Sequence, residues 1–189
     1  MSHEPAGALD PRIARTRRDV VAVTSDLLLA DGWDAVTHAE VARRAGYAKA
    51  TVYTHWPTRT DLIRDAIDQI CDHAEHPAST GDLLYDVHAS LEDFARDLSE
   101  GHLDRLIGGV VERAHQGPVI EALRARLYDT GTRSLREVLA AHVPADDVDP
   151  IVALLTGAIL VRVTFEAKPA TRAFIDDLVE RVLTESRGL

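Results

Sequence analysis

One stretch of this 189-residue chain gathers side chains that could do chemistry: Lys49, Thr51, Tyr53 and His55, close together on a helix-length segment. What they share is reach toward nucleic acid. Lys49 can donate to a guanine edge or a phosphate, and Thr51 can touch a phosphate or a thymine methyl. Tyr53 and His55 are long enough to donate to phosphates on a groove wall. Lysine is scarce, Lys49 and Lys168 being the only two, and one of them stands at the tip of this segment. A helix so short is unstable alone and must be held by its neighbours. Val52 and Trp56, four residues apart on one face, are its anchors. Upstream, Val41, Ala42 and Ala45 form one apolar helical face, and Gly46 can take the left-handed conformation that ends a helix. Segment 41–56 therefore reads as two short helices with a sharp turn, the second showing polar tips outward as a major-groove reader does.

Hydrophobic residues make up 46% of the chain and aromatics 5%, so the core is aliphatic and alanine-rich, a composition that favours helices. The net charge of −10 is unevenly divided. Residues 1–66 hold nine Lys+Arg against nine Asp+Glu, and residues 67–189 hold twelve against twenty-two. The neutral front can show a local basic face through Arg12, Arg15, Arg17, Arg18, Arg43, Arg44, Lys49 and Arg59, while the acidic remainder repels DNA. No nucleophile elbow, zinc-protease signature or phosphate loop occurs, so no catalytic residue is assigned and the chain reads as a non-enzyme. Cys71 stands alone, which excludes an intrachain disulfide and a cysteine-based metal cluster. His73 and His76, beside Asp72 and Glu75, read as a solvated helix end rather than a metal site. No cofactor is expected. No apolar run approaches the ~20 residues of a membrane span, and residues 1–10 lack the apolar core of a signal peptide. The expectation is a cytoplasmic protein without membrane contact.

The rest of the chain reads as helices. Pro11 suits a first helical position, and Ile13, Val20, Val21, Thr24, Leu27 and Leu28 form a stripe that Gly32 ends. Thr37 with Glu40 is a capping box opening a second helix, and Thr58 with Asp61 repeats the signal for a fourth. After a breaker cluster at 76–81, Leu83, Leu84, Val87, Leu91, Phe94 and Leu98 recur with a 3.6-residue period. A sixth helix runs from Leu103 to Ala114, and a seventh occupies 119–142. An acidic loop is expected at 144–149, with Pro150 opening an eighth helix, apolar almost all round, that runs to about residue 165. Thr171 caps a ninth, striped by Phe174, Ile175, Leu178, Val179, Val182 and Leu183. The expected fold class is all-α, with about nine helices and no convincing strand.

Two sets of residues resemble the amino-terminal domain of tetracycline-repressor-type (TetR/AcrR) transcriptional regulators. The first is Gly32-Trp33-Asp34 followed by Thr37-x-x-Glu40-Val41-Ala42 and Ala45-Gly46. The second is Lys49-Ala50-Thr51-Val52-Tyr53-x-His55-Trp56-Pro57-Thr58-Arg59-x-Asp61-Leu62. The resemblance covers roughly residues 17–66, and beyond it only length and helical character are similar. It implies a flexible arm at 1–10, a three-helix helix-turn-helix DNA-binding domain at 11–57, and a helical effector-binding and dimerisation domain at 58–189. On the DNA side it implies contacts by Thr37 and by Ala48, Lys49, Ala50, Thr51, Tyr53, Thr54 and His55, with Arg59 as a phosphate-clamping basic residue. Ala48 departs from the family, which usually has Ser or a similar cap there, and alanine is a poor N-cap.

The same resemblance implies a small-molecule site among the fourth to seventh helices, with Phe94, Leu98, Leu106, Val110, Arg113, Leu123, Leu127 and Tyr128 as candidates; core packing is the other reading of each. Gly108-Gly109 inside a helix is costly unless space or bending is wanted there. A helix apolar on most faces is either central or shared with a partner. The resemblance places the last two helices in a four-helix dimer bundle, through Ile151, Leu154, Leu155, Ala158, Ile159 and Arg162 on the eighth and Phe174, Leu178 and Val182 on the ninth. The implied function is a homodimeric, sequence-specific regulator, usually a repressor, that a small-molecule effector releases from a palindromic operator. In that mechanism the effector tilts the fourth helix and spoils the match to half-sites about 34–36 Å apart or a multiple of that. Two rivals stay open: a helical binding or enzymatic bundle with an idle DNA head, and a regulator that needs no ligand.

Overall fold

The computed structural model describes residues 10–185, and among them the chain is helical without a strand. Nine α-helices are described: α1 Pro11–Asp31, α2 His38–Ala45, α3 Lys49–His55, α4 Arg59–Asp72, α5 Leu83–Ser99, α6 Leu103–Glu112, α7 Pro118–Ala140, α8 Ala145–Leu160 and α9 Arg172–Glu185. The expected arm at 1–10 lies outside the described residues except for Asp10, whose carboxylate caps α1 by accepting the Arg12 N–H at 2.8 Å.

The chain divides into two compact units, one ending at Ile70 and the other beginning at Cys71. The first is built on α1 to α4. Val20, Leu27, Leu28, Val36, Val41, Val52 and Trp56 are all fully buried. The first compact unit runs past the expected boundary at 57/58, and α4 is bonded to the elements before it. Asp65 accepts the Trp56 indole N–H at 2.8 Å and an Arg17 N–H at 3.0 Å, and the Ser25 hydroxyl reaches the Ala66 carbonyl at 3.3 Å. The Thr58–Asp61 capping box is fully formed, with backbone N–H to side-chain oxygen in both directions at 3.0 and 3.1 Å. In the Thr37–Glu40 box only one half is made, Glu40 N–H to Thr37 Oγ1 at 3.2 Å, because the Glu40 carboxylate turns to Arg43 and Arg44 instead.

In the second unit α5 is the hub, packed against α6, α7, α8 and α9. Val87, Leu91 and Leu98 of α5 meet Leu135 and Leu139 of α7, Val152, Leu155 and Ile159 of α8, and Ile175 and Val179 of α9. Leu84, expected on the buried stripe of α5, is 54% exposed. The segment 144–149 is helix rather than acidic loop: Pro144 is the N-cap, Asp146 and Asp147 fall in the first turn, and Pro150 lies inside α8. Acidic residues suit a helix N-terminus, and the hydrogen bond that Pro150 forfeits would have used the carbonyl of the exposed Asp146, which water can reach. A π turn, Val161–Phe165, extends α8, and the Thr171 hydroxyl accepts the Phe174 N–H at 3.4 Å at the start of α9.

Counted together, Ala145–Phe165 is 21 residues long and contains an 18-residue stretch with a mean hydropathy of 1.8, so one helix does meet the length and apolarity of a membrane span, contrary to expectation. Its buried face, Ile151, Val152, Leu155 and Ile159, packs on the core of its own unit. Only 33% of the apolar stretch is buried, so the helix is a one-sided member of the core.

Candidate functional site

The α2–turn–α3 segment is closed by backbone chemistry. Gly46 sits at φ 75° and ψ 26°, and the Gly46 and Tyr47 N–H groups both donate to the Ala42 carbonyl, ending α2 abruptly. The Tyr47 hydroxyl donates to Asp19 of α1 at 2.8 Å, pinning the turn. Ala48 follows as an N-cap without a side-chain bond. Val52 and Trp56 hold α3 from below, both fully buried.

A residue passed over in the sequence completes the clamp. His38, 7% exposed, puts Nε2 2.7 Å from the Trp56 carbonyl. A carbonyl only accepts, so Nε2 carries the proton. The other contact of this ring is to Tyr53, with centroids 3.9 Å apart and planes within 2° of parallel. Tyr53 is thus fixed from beneath while 44% of it faces solvent. The Lys49 ammonium lies 5.5 Å from the Tyr53 ring, a distance at which cation–π attraction operates. Ala48, Lys49, Ala50, Tyr53 and Thr54 are exposed, Thr51 and His55 half-buried, and Thr37 is exposed at the start of α2. The Thr54 hydroxyl bonds back to the Ala50 carbonyl at 2.9 Å.

Most cations of this unit already have partners. Arg43 and Arg44 share Glu40, and their hydrogen bonds hold its carboxyl down to about 2. Arg44 also reaches Asp31 at 3.0 Å, Arg17 meets Asp65, and Arg15 lies 3.7 Å from Asp19. Arg59 donates to the Trp33 carbonyl and to Asp34. Its guanidinium is therefore committed inside the unit, unlike the free phosphate clamp that the sequence suggests. Lys49 carries no acid partner among the described residues.

The second unit holds a cavity of about 320 Å³ between α5, α6, α7 and α8, at the lower end of the usual range for ligand sites. Phe94, Val110, Leu127 and Tyr128 line it, as expected from the sequence. Leu98, Leu106, Leu123 and Arg113 do not. The three leucines are 1%, 0% and 3% exposed and turn into the core, and Arg113 bonds to Glu112 and the Gly109 carbonyl. Leu103, Ile107 and Val111 complete the α6 wall, Arg124, Gly131 and Thr132 the α7 wall, and Ala153, Thr156, Gly157 and Leu160 form the α8 wall. The exposed lining residues Val111, Arg124, Tyr128 and Ala153 mark its mouth. Among the described residues no group of three or more His, Cys, Asp or Glu is placed to hold a metal ion.

Comparison with known proteins decides the family. The profile of bacterial regulatory proteins of the tetR family matches residues 20–66, and that of the tetracyclin repressor-like C-terminal domain matches residues 77–182. The chain belongs to the TetR family. It is 27% identical over 180 residues to the HTH-type transcriptional regulator Rv1556 of Mycobacterium tuberculosis, covering 90% of this chain and 89% of that one. It is 28% identical over 169 residues to the DNA-binding transcriptional repressor TetR of Mycobacteroides abscessus, covering 87% of this chain and 78% of that one. The fold is shared with the crystal structure of SCO7518 from Streptomyces coelicolor A3(2), at a TM-score of 0.70 and 24% identity over 89% of this chain and 98% of that one. This TetR-family chain is thus a helix-turn-helix, DNA-binding transcriptional regulator, and its family is one of regulators rather than enzymes.

The residues expected at a dimer interface of this TetR-family chain fall into two groups. Ile151, Leu155 and Ile159 are at most 2% exposed and belong to the core of their own chain. Leu154, Ala158 and Arg162 stay at least partly open, and so do Phe174, Leu178 and Val182 on α9. The sequence could not separate the groups because an all-round apolar helix has no polar face to mark its outside. The open residues continue into Val161 and Phe165, the latter 82% exposed, and the Arg162 guanidinium lies 4.7 Å from the Phe174 ring, joining the α8 and α9 stripes.

Proposed function

We propose that this regulator is a homodimeric repressor that a small molecule entering the α5–α8 cavity releases from a palindromic operator. The observation that carries the reading is the ligand-sized apolar cavity, built into a compact unit separate from the one bearing α3. A DNA reader without a ligand gains nothing from leaving such a space unfilled, since an unfilled core void costs packing contacts.

On the DNA side, Lys49, Thr51, Tyr53, Thr54 and His55 read base edges and phosphates, Ala48 and Ala50 lie close to the duplex, and Thr37 meets the backbone. Arg59 joins only by exchanging Asp34 for a phosphate. For the dimer, Leu154, Ala158, Val161 and Phe165 recur at helical spacing on one face, and Phe174, Leu178 and Val182 recur on another, which supports a four-helix contact between two copies. An operator-bound regulator of this kind works in the cytoplasm.

Selection of bound sequences from a random duplex pool at near-physiological salt tests the proposal. Enrichment of a single inverted repeat supports the dimeric reader and supplies its operator. Enrichment of a lone half-site, or of nothing by a folded protein, refutes it.

A further inference from the structure

If the cavity is the effector site, its lining also restricts what the effector can be. Three hydroxyls line it: Tyr128 is exposed and its hydroxyl accepts from Arg136 at 3.2 Å, and the two buried ones are already spent. Thr132 Oγ1 donates to the Tyr128 carbonyl at 2.8 Å and receives the Arg136 Nε–H at 3.0 Å, and Thr156 Oγ1 donates to the Val152 carbonyl at 2.7 Å. The other deep walls are aliphatic or aromatic, so a polar group carried inward would lose its hydration without recovering hydrogen bonds. One charged residue stands in the lining, Arg124, which is exposed and has no acid partner among the described residues. Arg136, three turns further along α7, is different, held by Asp149 and by the Tyr128 hydroxyl.

An acidic recess adjoins the cavity behind Phe94, Gly131 and Thr156, with His76, Asp93 and Asp97 around it. It would be the seat for a cationic end, but it holds only about 10 Å³, room for about one water and too little for an ammonium group with its carbon. Asp93 is in any case already engaged by Arg96 at 2.8 Å. The unit's excess of acidic residues disfavours anions at long range, yet at physiological salt that field is screened beyond about 8 Å, which leaves the local cation at the mouth in control.

We infer that the effector is an amphiphilic monoanion: an apolar body seated among Phe94, Ile107, Leu127 and Gly157, with one carboxylate-like group at the mouth on Arg124. This rests on the effector reading above. At a water's share of about 30 Å³ per non-hydrogen atom, the volume takes roughly ten such atoms.

The test is calorimetric binding of decanoate, decan-1-ol and decylammonium, which share one body and differ only in the head. The wild type, Arg124→Gln and Gly157→Leu are compared. A Cβ at Gly157 meets open space, so the leucine side chain projects into the cavity without strain. The expected order is decanoate tightest. Arg124→Gln should weaken decanoate about tenfold, as loss of one charge-assisted hydrogen bond does, while decan-1-ol is unchanged. Gly157→Leu should abolish all three. Equal binding of decanoate and decan-1-ol by the wild type overturns the inference, as does decanoate binding that ignores Arg124→Gln. Tightest binding by decylammonium, or no binding by a protein that still holds its operator, overturns it as well. Operator affinity is read separately by fluorescence anisotropy. Arg124-dependent decanoate binding that leaves operator affinity unmoved keeps the ligand class and removes the effector role.

Discussion

His38 offers a sharp test of how α3 is held. His38→Ala removes the N–H that satisfies the Trp56 carbonyl at 2.7 Å and the ring stacked 3.9 Å from Tyr53. Leaving a buried carbonyl unpaired costs about 1–3 kcal/mol, and an aromatic stack contributes about 0.5–1.5 kcal/mol beyond its area. The expected loss in stability is therefore about 2–4 kcal/mol, read by urea denaturation with tryptophan emission, since Trp56 lies in the affected core. Operator affinity should fall as well, because Tyr53 loses the surface that fixes its ring. His38→Phe keeps the stack and loses the hydrogen bond, so it should cost only the first part and spare more of the operator affinity. A double-mutant cycle of His38→Phe and His38→Ala with Tyr53→Leu isolates the stacking energy, expected in the same range of about 0.5–1.5 kcal/mol. If His38→Ala stays within about 0.5 kcal/mol of the wild type, the size of a neutral surface change, and binds operator normally, the clamp plays no part.

Other expectations follow from single observations. Lys49→Ala should weaken operator binding and reduce the slope of log affinity against log salt by about 1, as loss of one phosphate neutralisation does; an unchanged slope removes Lys49 from the backbone contacts. Leu154→Glu combined with Phe165→Asp puts charges on the open face of α8 and its π turn, so sedimentation should report a monomer and operator affinity should collapse; an intact dimer would place the interface elsewhere. Asp86 is 3% exposed. Burial alone would raise its pKa, but the Thr80 N–H, the Ser79 and Thr80 hydroxyls and the Gly81 N–H outweigh that and hold it down to about 2. A folded pKa below the unfolded value of about 3.9 gives stability that is full above that value and lost as pH falls toward 2. Asp86→Asn should therefore lower Tm at pH 6, and its difference from wild type should shrink between pH 4 and pH 2; a constant difference would mean that the charge is irrelevant.

How much was legible varied with the kind of signal. The turn at Gly46, the Thr58–Asp61 cap and the buried pair Val52 and Trp56 are local, set by residues three or four apart, and the sequence carries them directly. His38 escaped notice because its partners, Trp56 and Tyr53, are fifteen or more positions away, and a lone histidine beside a capping threonine has no periodicity of its own. The basic face was half an illusion for a similar reason: Asp31, Asp34 and Asp65 are distant in sequence from the arginines they neutralise. In the cavity, three of the four assigned leucines, Leu98, Leu106 and Leu123, were apolar and on the right helices but one face round. Gly131 and Gly157 went unassigned as lining, since an absent side chain leaves no hydrophobic signal to read.

Three separate contacts explain why α8 beyond Pro150 is apolar almost all round. Ile151, Leu155 and Ile159 are sealed into the core, Ala153, Gly157 and Leu160 border the cavity, and Leu154 and Ala158 lie on the open face proposed for dimer contact. Three demands on one sixteen-residue helix leave almost no position for a polar residue. The same arrangement supplies a route for coupling. Close-packed cores resist continuous deformation, so in the proposed regulator a ligand pressing on Gly157 and Leu160 would shift α8 as a body and change the face it offers a second copy. Because such coupling is reciprocal, dimerisation must alter ligand affinity by the same factor that the ligand alters dimerisation. Ligand affinity should therefore depend on protein concentration across the dimer dissociation range, and an affinity independent of dilution would separate the cavity from the interface.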